Sequence, residues 1–474
     1  MVNQSVNGLK RLKAITMLNK FEIAPILSIA LLLGSVAAAD PPVDSVVNQI
    51  IVHANSQLSV EGPYRFDKSA YEGDLTELPI GVFDSGIGGL TVLEAILTLD
   101  AFDNENLRPG PDGRADFENE RFIYFGDQAN MPYGNYASYG KEDFLRELIL
   151  KDTLFLLGKR SWDSPTANEP RFDKPPVKAI VIACNTATAY GLEDVRDAIE
   201  AWGIPVFVVG VVESGARGVN ELISATDDPK TIAVMATVGT CNSLAYPKAI
   251  GRATGIAGKR TPTVIQQGSA ALAGAIEGDP AFIKPGGESS GDAVVDYVRE
   301  DVTTLVETYR QSGNAKPIEM VVLGCTHFPL VQDEIENALM RLRESDPDNN
   351  GTFPYRRFIA EEVQLINPAE LVAKELFRKL AAERLRIKSD QRSVLHKHAF
   401  FLSVTSPNVA PPARTPTGEL TVAYKYGRET KQLQVEDTRV VPMRVNMLPA
   451  TGRQLIQNRL PEVWKRLIES DQTN

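Results

Sequence analysis

Short apolar runs alternating with helix-like stretches set the strongest limit on what this chain can fold into. Residues 79–83, 121–125, 177–183, 205–209, 231–235 and 320–323 are each too short for a helix and too uniformly apolar for a strand with one wet face. They read as buried parallel strands. The segments between them carry helical spacing, as in Leu90, Val92, Leu93 and Ile96 after the turn Asp84-Ser85-Gly86-Ile87-Gly88-Gly89. Strands alternating with helices predict an α/β fold.

Two of these units echo two others. Ile80-Gly81-Val82-Phe83-Asp84-Ser85 resembles Ile232-Ala233-Val234-Met235-Ala236-Thr237, and Val181-Ile182-Ala183-Cys184-Asn185-Thr186 resembles Val322-Leu323-Gly324-Cys325-Thr326-His327. The echo predicts two related half-domains facing each other across a cleft, each with one strand ending in a hydroxyl and one ending in a cysteine. Coincidence between short apolar strands is the competing reading.

The 474 residues, 43% hydrophobic and 23% charged, suffice for two or three packed domains and exclude disorder throughout. A net charge of −11 with no stripe of Lys and Arg excludes nucleic acid as the expected partner. At the N-terminus, Lys10, Arg11, Lys13 and Lys20 precede the apolar run 23–36, and Ala37-Ala38-Ala39 follows. This is a secretory signal pattern over residues 1–39, with Met17 as a candidate start and cleavage expected before Asp40. The apolar run falls short of the ~20 residues of a spanning helix, so no stable membrane insertion is expected once the signal is cleaved. An uncleaved anchor is the alternative. The expected address is the periplasm, or the cytoplasm if the signal is not used.

Residues 40–77 read as an irregular lead-in. Segments 103–120 and 161–176, rich in Pro, Asp and Asn, read as surface insertions. Asp346-Pro347-Asp348-Asn349-Asn350-Gly351 begins like a calcium loop, but Arg357 stands where the bidentate Glu would be needed, so a solvated turn is expected. Residues 419–447 alternate in a strand-like way around a charged turn, and 454–468 have helical spacing.

Three cysteines cannot form a disulfide framework, so a cysteine in a distinctive context is better read as chemistry. Cys184 and Cys325 each follow an apolar run and precede hydroxyl residues and a helix-like stretch. Each thiol is expected at the mouth of a sheet, beside free N–H groups that favour a thiolate or a substrate carboxylate. Inverting a carbon centre by proton transfer needs a base on one face and an acid on the other. A pair of opposed thiols, with an ordinary pKa of about 8.5, suits both roles. Inert packing is the common alternative for any one buried cysteine, and it is the reading given to Cys241. The glycines at 86–89 lack the third Gly of a dinucleotide fingerprint, Thr91 standing in its place, and no acid follows a second strand at the right distance.

Four motifs, in order, carry a resemblance. Gly81-Val82-Phe83-Asp84-Ser85-Gly86-Ile87-Gly88-Gly89, Tyr124-Phe125-Gly126-Asp127 through Pro132-Tyr133-Gly134, Ala183-Cys184-Asn185-Thr186-Ala187 and Gly324-Cys325-Thr326-His327-Phe328-Pro329 resemble the cofactor-independent glutamate racemases. The resemblance spans roughly residues 78–408. It implies two pseudo-symmetric, doubly wound parallel-sheet domains with the active site between them: residues 78–209, residues 210–337, and a return to the first domain over 338–474. That return would carry a hairpin insertion at about 413–447 and a final helix.

It further implies interconversion of L- and D-glutamate, with Cys184 and Cys325 exchanging the α-proton and no cofactor or metal. Asp84 would support Cys184, while His327 and Glu277 assist Cys325. Ser85, Asn185, Thr186 and Thr326, with Pro132, Tyr133 and Gly134, would hold the substrate. Read from the residues alone, Asp84, Asn185 and the threonines also fit helix caps, Ser85, Tyr133 and Gly134 a turn, His327 a surface histidine and Glu277 a helix-end carboxylate. Residues 128–131, Gln-Ala-Asn-Met, depart from a family segment that usually carries a threonine. The expected role of such an enzyme is cytoplasmic wall-precursor synthesis, which sits uneasily with export, where free thiols risk oxidation. A racemase of aspartate or another acidic amino acid, and an exported two-lobed binding protein, are the rival readings. A homodimer is compatible with all of them.

Overall fold

The computed structural model describes residues 46–56, 61–224, 228–278, 282, 290–314, 316–347, 351–387 and 398–473. The signal segment, the cleavage position and residues 348–350 of the calcium-like loop lie outside the described residues. Among the described residues no helix is long and apolar enough to cross a membrane.

After helix α1 (Val46–Asn55), strand β1 (Ile80–Asp84) runs into α2 (Leu90–Thr98), β2 (Phe122–Gly126), α3 (Glu142–Leu157), β3 (Ala179–Ile182), α4 (Asn185–Trp202), β4 (Phe207–Gly210) and α5 (Val211–Leu222). A second run follows: β5 (Thr231–Thr237), α6 (Val238–Ser243), α7 (Ala245–Ile256), β6 (Thr263–Ser269), α8 (Leu272–Glu277), α9 (Ser290–Gln311), β7 (Ile318–Gly324), α10 (Gln332–Arg343), β8 (Ile359–Ile366) and α11 (Pro368–Ala382). The chain closes with β9 (Ala399–Thr405), α12 (Val422–Gly427), β10 (Thr438–Pro442), α13 (Ala450–Arg459) and α14 (Pro461–Thr473).

The strands form two sheets, ordered β10-β9-β2-β1-β3-β4 and β6-β5-β7-β8. All neighbours are parallel except β9 and β10. The order β2-β1-β3-β4 of the first sheet is reproduced by β6-β5-β7-β8 in the second. The echoed segments therefore occupy equivalent places: β1 matches β5 and β3 matches β7. In each sheet the chain leaves the first strand on one side and returns on the other, so the switch point of a doubly wound fold falls at the ends of β1 and β5. Strands β1, β2 and β3 are buried along their whole length, as their uninterrupted apolar sequence requires.

Four strands lie outside the apolar runs. β6 and β8 are edge strands with polar, half-exposed residues such as Gln266 and Glu361, and an edge needs no apolar run. β9 extends the first sheet beside β2. The hairpin expected at 413–447 does not form. Its first arm folds into the short helix α12, capped by Thr421, while its second arm is β10, which pairs antiparallel with β9. The alternation there reflects one edge strand of the main sheet.

Candidate active site

Most of the chemically suggestive side chains stand at or just beyond the C-terminal end of a strand, while Glu277 ends α8. β1 delivers Asp84 and Ser85, β3 delivers Cys184, β5 delivers Thr237, and β7 delivers Cys325, Thr326 and His327. The first segment bends at once into α2, which lets His327 close on it. A Cβ at Gly88 would lie 2.5 Å from the His327 ring, so only glycine fits there.

The cavity between the two sheets is lined by Ser85, Met131, Pro132, Tyr133, Gly134, Cys184, Asn185, Thr186, Thr237, Ala273, Cys325, Thr326 and His327. Its volume is about 30 Å³, room for a water molecule or two. The two halves of the molecule border this cavity from opposite sides. At one rim they meet backbone to backbone: a Cβ on Gly239 would lie 2.5 Å from the carbonyl oxygen of Gly134.

Cys184 caps the N-terminus of α4, its sulfur accepting the Ala187 N–H at 3.4 Å and donating to Ser85 Oγ at 3.7 Å. Burial pushes its thiol up to about 12, with the Asp84 charge adding to the shift and the Ala187 and Ser85 hydrogen bonds opposing it. Cys184 is a thiol at neutral pH.

Cys325 has different company. Its sulfur lies 3.6 Å from His327 Nδ1, and His327 Nε2 lies 2.7 Å from Glu277 Oε1. Burial disfavours the imidazolium, but hydrogen bonds and charge from Cys325 and Glu277 outweigh it and hold His327 well above the ordinary histidine range. His327 thus sits between a sulfur and a carboxyl group, in surroundings that favour its protonated form. Glu277 is further fixed by Gln128 Nε2 at 3.0 Å and by the Ile87 N–H at 3.3 Å.

Asp84 is fully buried behind the cavity. Its Oδ2 accepts the Gly86 and Gly89 N–H groups at 3.1 and 3.0 Å, and its Oδ1 accepts the Thr326 hydroxyl at 3.4 Å. Desolvation raises its pKa, partly offset by the His327 charge and the two backbone bonds. It influences Cys184 through its field and bonds directly to the Cys325 turn. Asp84 and Glu277 stand behind the cavity wall, and the other expected site residues line it.

Tyr133 differs from expectation in one respect. Its hydroxyl is committed to Asp127 at 2.5 Å and Asp152 at 2.6 Å, so it offers the cavity no free phenol. The Asn185 side chain is oriented by Tyr246, whose hydroxyl donates to Oδ1 at 2.7 Å. Thr186 Oγ1 joins Thr237 and Thr240 at 3.1 and 3.0 Å, linking the two halves. Tyr246 and Ala273 were not expected at the site, whereas Gln128 and Met131 belong to the departing segment 128–131. The available signal was topological: in a doubly wound sheet the residues just after β2 and β5 border the switch point whatever their identity. Among the described residues no group of three or more His, Cys, Asp or Glu is placed to hold a metal ion.

The arrangement presents two thiols in unlike surroundings to one small space walled by hydroxyls and helix N-terminal N–H groups. It can take a proton from one side of a bound carbon acid and return one from the other.

The family model described as Asp/Glu/Hydantoin racemase matches residues 170–375. The chain is 30% identical over 322 residues to the glutamate racemase of Chlorobaculum tepidum, covering 68% of this chain and 86% of that protein. It is 32% identical over 260 residues to the glutamate racemase of Enterococcus faecalis, covering 55% and 71%. The crystal structure of glutamate racemase isoform RacE1 from Bacillus anthracis overlaps 76% of this chain and all of that one, with a TM-score of 0.46 and 22% identity.

Proposed function

The chain belongs to the aspartate/glutamate racemase family, and from that premise we propose that it interconverts L- and D-glutamate by passing the α-proton between Cys184 and Cys325. The observation that carries this reading is the placement of the two thiols at the ends of matching strands, β3 and β7, against one cavity.

In one direction Cys325, hydrogen-bonded to His327, removes the α-proton, and the Cys184 thiol delivers its own proton to the opposite face. In the other direction the roles reverse, with Cys184 as base. The carbanion between the two steps is stabilised by donors aimed at the substrate's α-carboxylate: the N–H groups opening α4 and the hydroxyls of Ser85, Thr186 and Thr326. Removing one such donor from a closed site costs about a hundredfold or more in rate. Closure of the two sheets keeps water from the carbanion.

The test follows the α-proton signal of L-glutamate, and separately of L-aspartate, in deuterated water with reduced protein and its Cys184→Ala and Cys325→Ala variants. Exchange with inversion of glutamate, lost in both variants, is the expected result. Faster exchange of aspartate would move the substrate to the smaller acid. Tight binding without exchange, retained in both variants, would make the protein a binder. D-Glutamate made this way serves wall assembly, as the family resemblance implies. Residues 1–39 are proposed to direct export. N-terminal sequencing of the protein recovered from its host would then read Asp40 first, and an intact Met1 or Met17 would refute it.

A further inference from the structure

We propose that Gln128 is a positioning residue of the reaction, tying the Glu277–His327 pair to the opposite half of the molecule so that the pair is aligned on Cys325 only when the cleft is closed. The inference rests on the reading of Cys325 as a reacting thiol.

Gln128 follows β2 of the six-stranded sheet, whereas Glu277 ends α8 on the side of the four-stranded sheet. The Gln128 amide donates to Glu277 Oε2 at 3.0 Å, leaving Oε1 for His327 at 2.7 Å. Of the bonds to the Glu277 carboxylate, the amide and the Ile87 N–H at 3.3 Å both come from across the cleft. Two donors from one half thus orient a carboxylate that serves a histidine of the other. Parting the halves breaks both and frees Glu277 to rotate away from His327.

The segment bearing Gln128 is itself held firmly. The Ala129 N–H donates to the buried Ser403 hydroxyl at 2.9 Å, Asn130 donates to Asp127, Lys425 donates to the Met131 carbonyl, and Arg428 donates to Asn130 Oδ1. A fixed segment can position a partner; a loose one cannot.

The charged and titratable groups facing His327 are Cys325 on its own turn, Glu277 from α8 and Asp84 from β1, with Cys184 and Tyr124 close to that set. Gln128 adds a neutral donor. Two nearly isosteric substitutions therefore push in opposite directions. Gln128→Met removes the donor, lets Glu277 turn from the imidazolium and lowers the pH at which His327 loses its proton. Gln128→Glu places a second acidic group beside Glu277, and the added negative charge favours the protonated imidazole to higher pH.

The experiment measures the pH profile of kcat/KM for glutamate α-proton exchange in the full chain, its two Gln128 variants and Cys325→Ala. The expected result is an alkaline limb displaced downward by about one pH unit in Gln128→Met and upward in Gln128→Glu, with kcat/KM at the optimum of Gln128→Met down about tenfold. A purely structural role would lower the melting temperature and leave both limbs in place, overturning the proposal. Limbs unmoved in both variants while Cys325→Ala is inactive would overturn it alone. Undiminished exchange in Cys325→Ala would overturn it together with the two-thiol reading.

Discussion

His327 is held at both ring nitrogens, by the Cys325 sulfur at 3.6 Å and by Glu277 at 2.7 Å, so Glu277 faces the sulfur through a single imidazole ring. Charge introduced at one end of this line is felt at the other. No such line exists behind Cys184, whose sulfur contacts a hydroxyl and a backbone N–H.

The first consequence concerns stability against pH. The folded-state pKa of His327 is raised well above the ordinary histidine value by its hydrogen bonds to Cys325 and Glu277, against the opposing effect of burial. The stabilisation it provides is therefore fully present below the unfolded pKa and is lost as pH rises through the folded one. Denaturant unfolding of the wild type should show stability declining through that alkaline window. Glu277→Gln, which removes the carboxylate charge, should flatten the decline and cost about 1–3 kcal/mol near neutral pH. An unchanged slope would mean that the pair carries no linked proton.

The two thiols should also differ in reactivity. In a background of Cys241→Ala, the single-cysteine variants Cys184→Ala and Cys325→Ala expose one thiol each to iodoacetamide. At neutral pH, Cys325 should be alkylated faster by about tenfold or more, being paired with an imidazolium. The rate at Cys184, whose thiol burial pushes up to about 12, should climb steeply with pH. Equal rates would remove the electrostatic distinction between them.

A third prediction addresses closure. Gly239 has no room for a methyl group, because the Gly134 carbonyl oxygen would lie 2.5 Å from it and neither backbone can yield without moving its half. Gly239→Ala should wedge the rim apart and raise KM for glutamate about tenfold or more, since misplacement of reacting groups by even an ångström is costly. Steady-state kinetics decide this, and an unaltered KM would show that the rim is not part of the closed state.

The C-terminal segment supplies the fourth. Arg428 reaches Asn130 and Tyr136, and Tyr426 donates to the Pro132 carbonyl at 3.3 Å, all within the loop that walls the cavity. Arg428→Ala should destabilise the protein by about 1–3 kcal/mol and reduce activity, although residue 428 itself does not line the cavity. Activity equal to wild type in a correctly folded variant would confine the segment to packing.

Much of this site was legible in the amino-acid sequence because its parts lie at the ends of apolar runs. Cys184 and Cys325 stand out as polar punctuation after Val181-Ile182-Ala183 and Val322-Leu323-Gly324, and the echo between those runs carried the matching strand orders with it. Glu277 was named through the family motif, and its bond to His327 depends on a fold that brings α8 beneath the end of β7. Gln128 stood out only as part of a departure from the family segment, and Tyr246 left no trace, because each acts on a residue far away in sequence and neither belongs to a patterned run. The C-terminal segment misled for a related reason: alternation identifies an edge strand but not its partner, and β10 pairs with β9 rather than with its own neighbour.

The unequal surroundings of the two thiols meet a limit set outside the protein. L- and D-glutamate are mirror images and have equal free energy in water, so the equilibrium constant of their interconversion is one. The ratio of kcat/KM in the two directions must therefore also be one, whatever the imidazolium does for Cys325. Any advantage it gives one thiol as a base returns as tighter or slower handling of the other enantiomer. The asymmetry described here can divide kcat and KM unevenly between the directions, and it sets which enantiomer saturates the enzyme first, but it cannot give the catalyst a preferred hand.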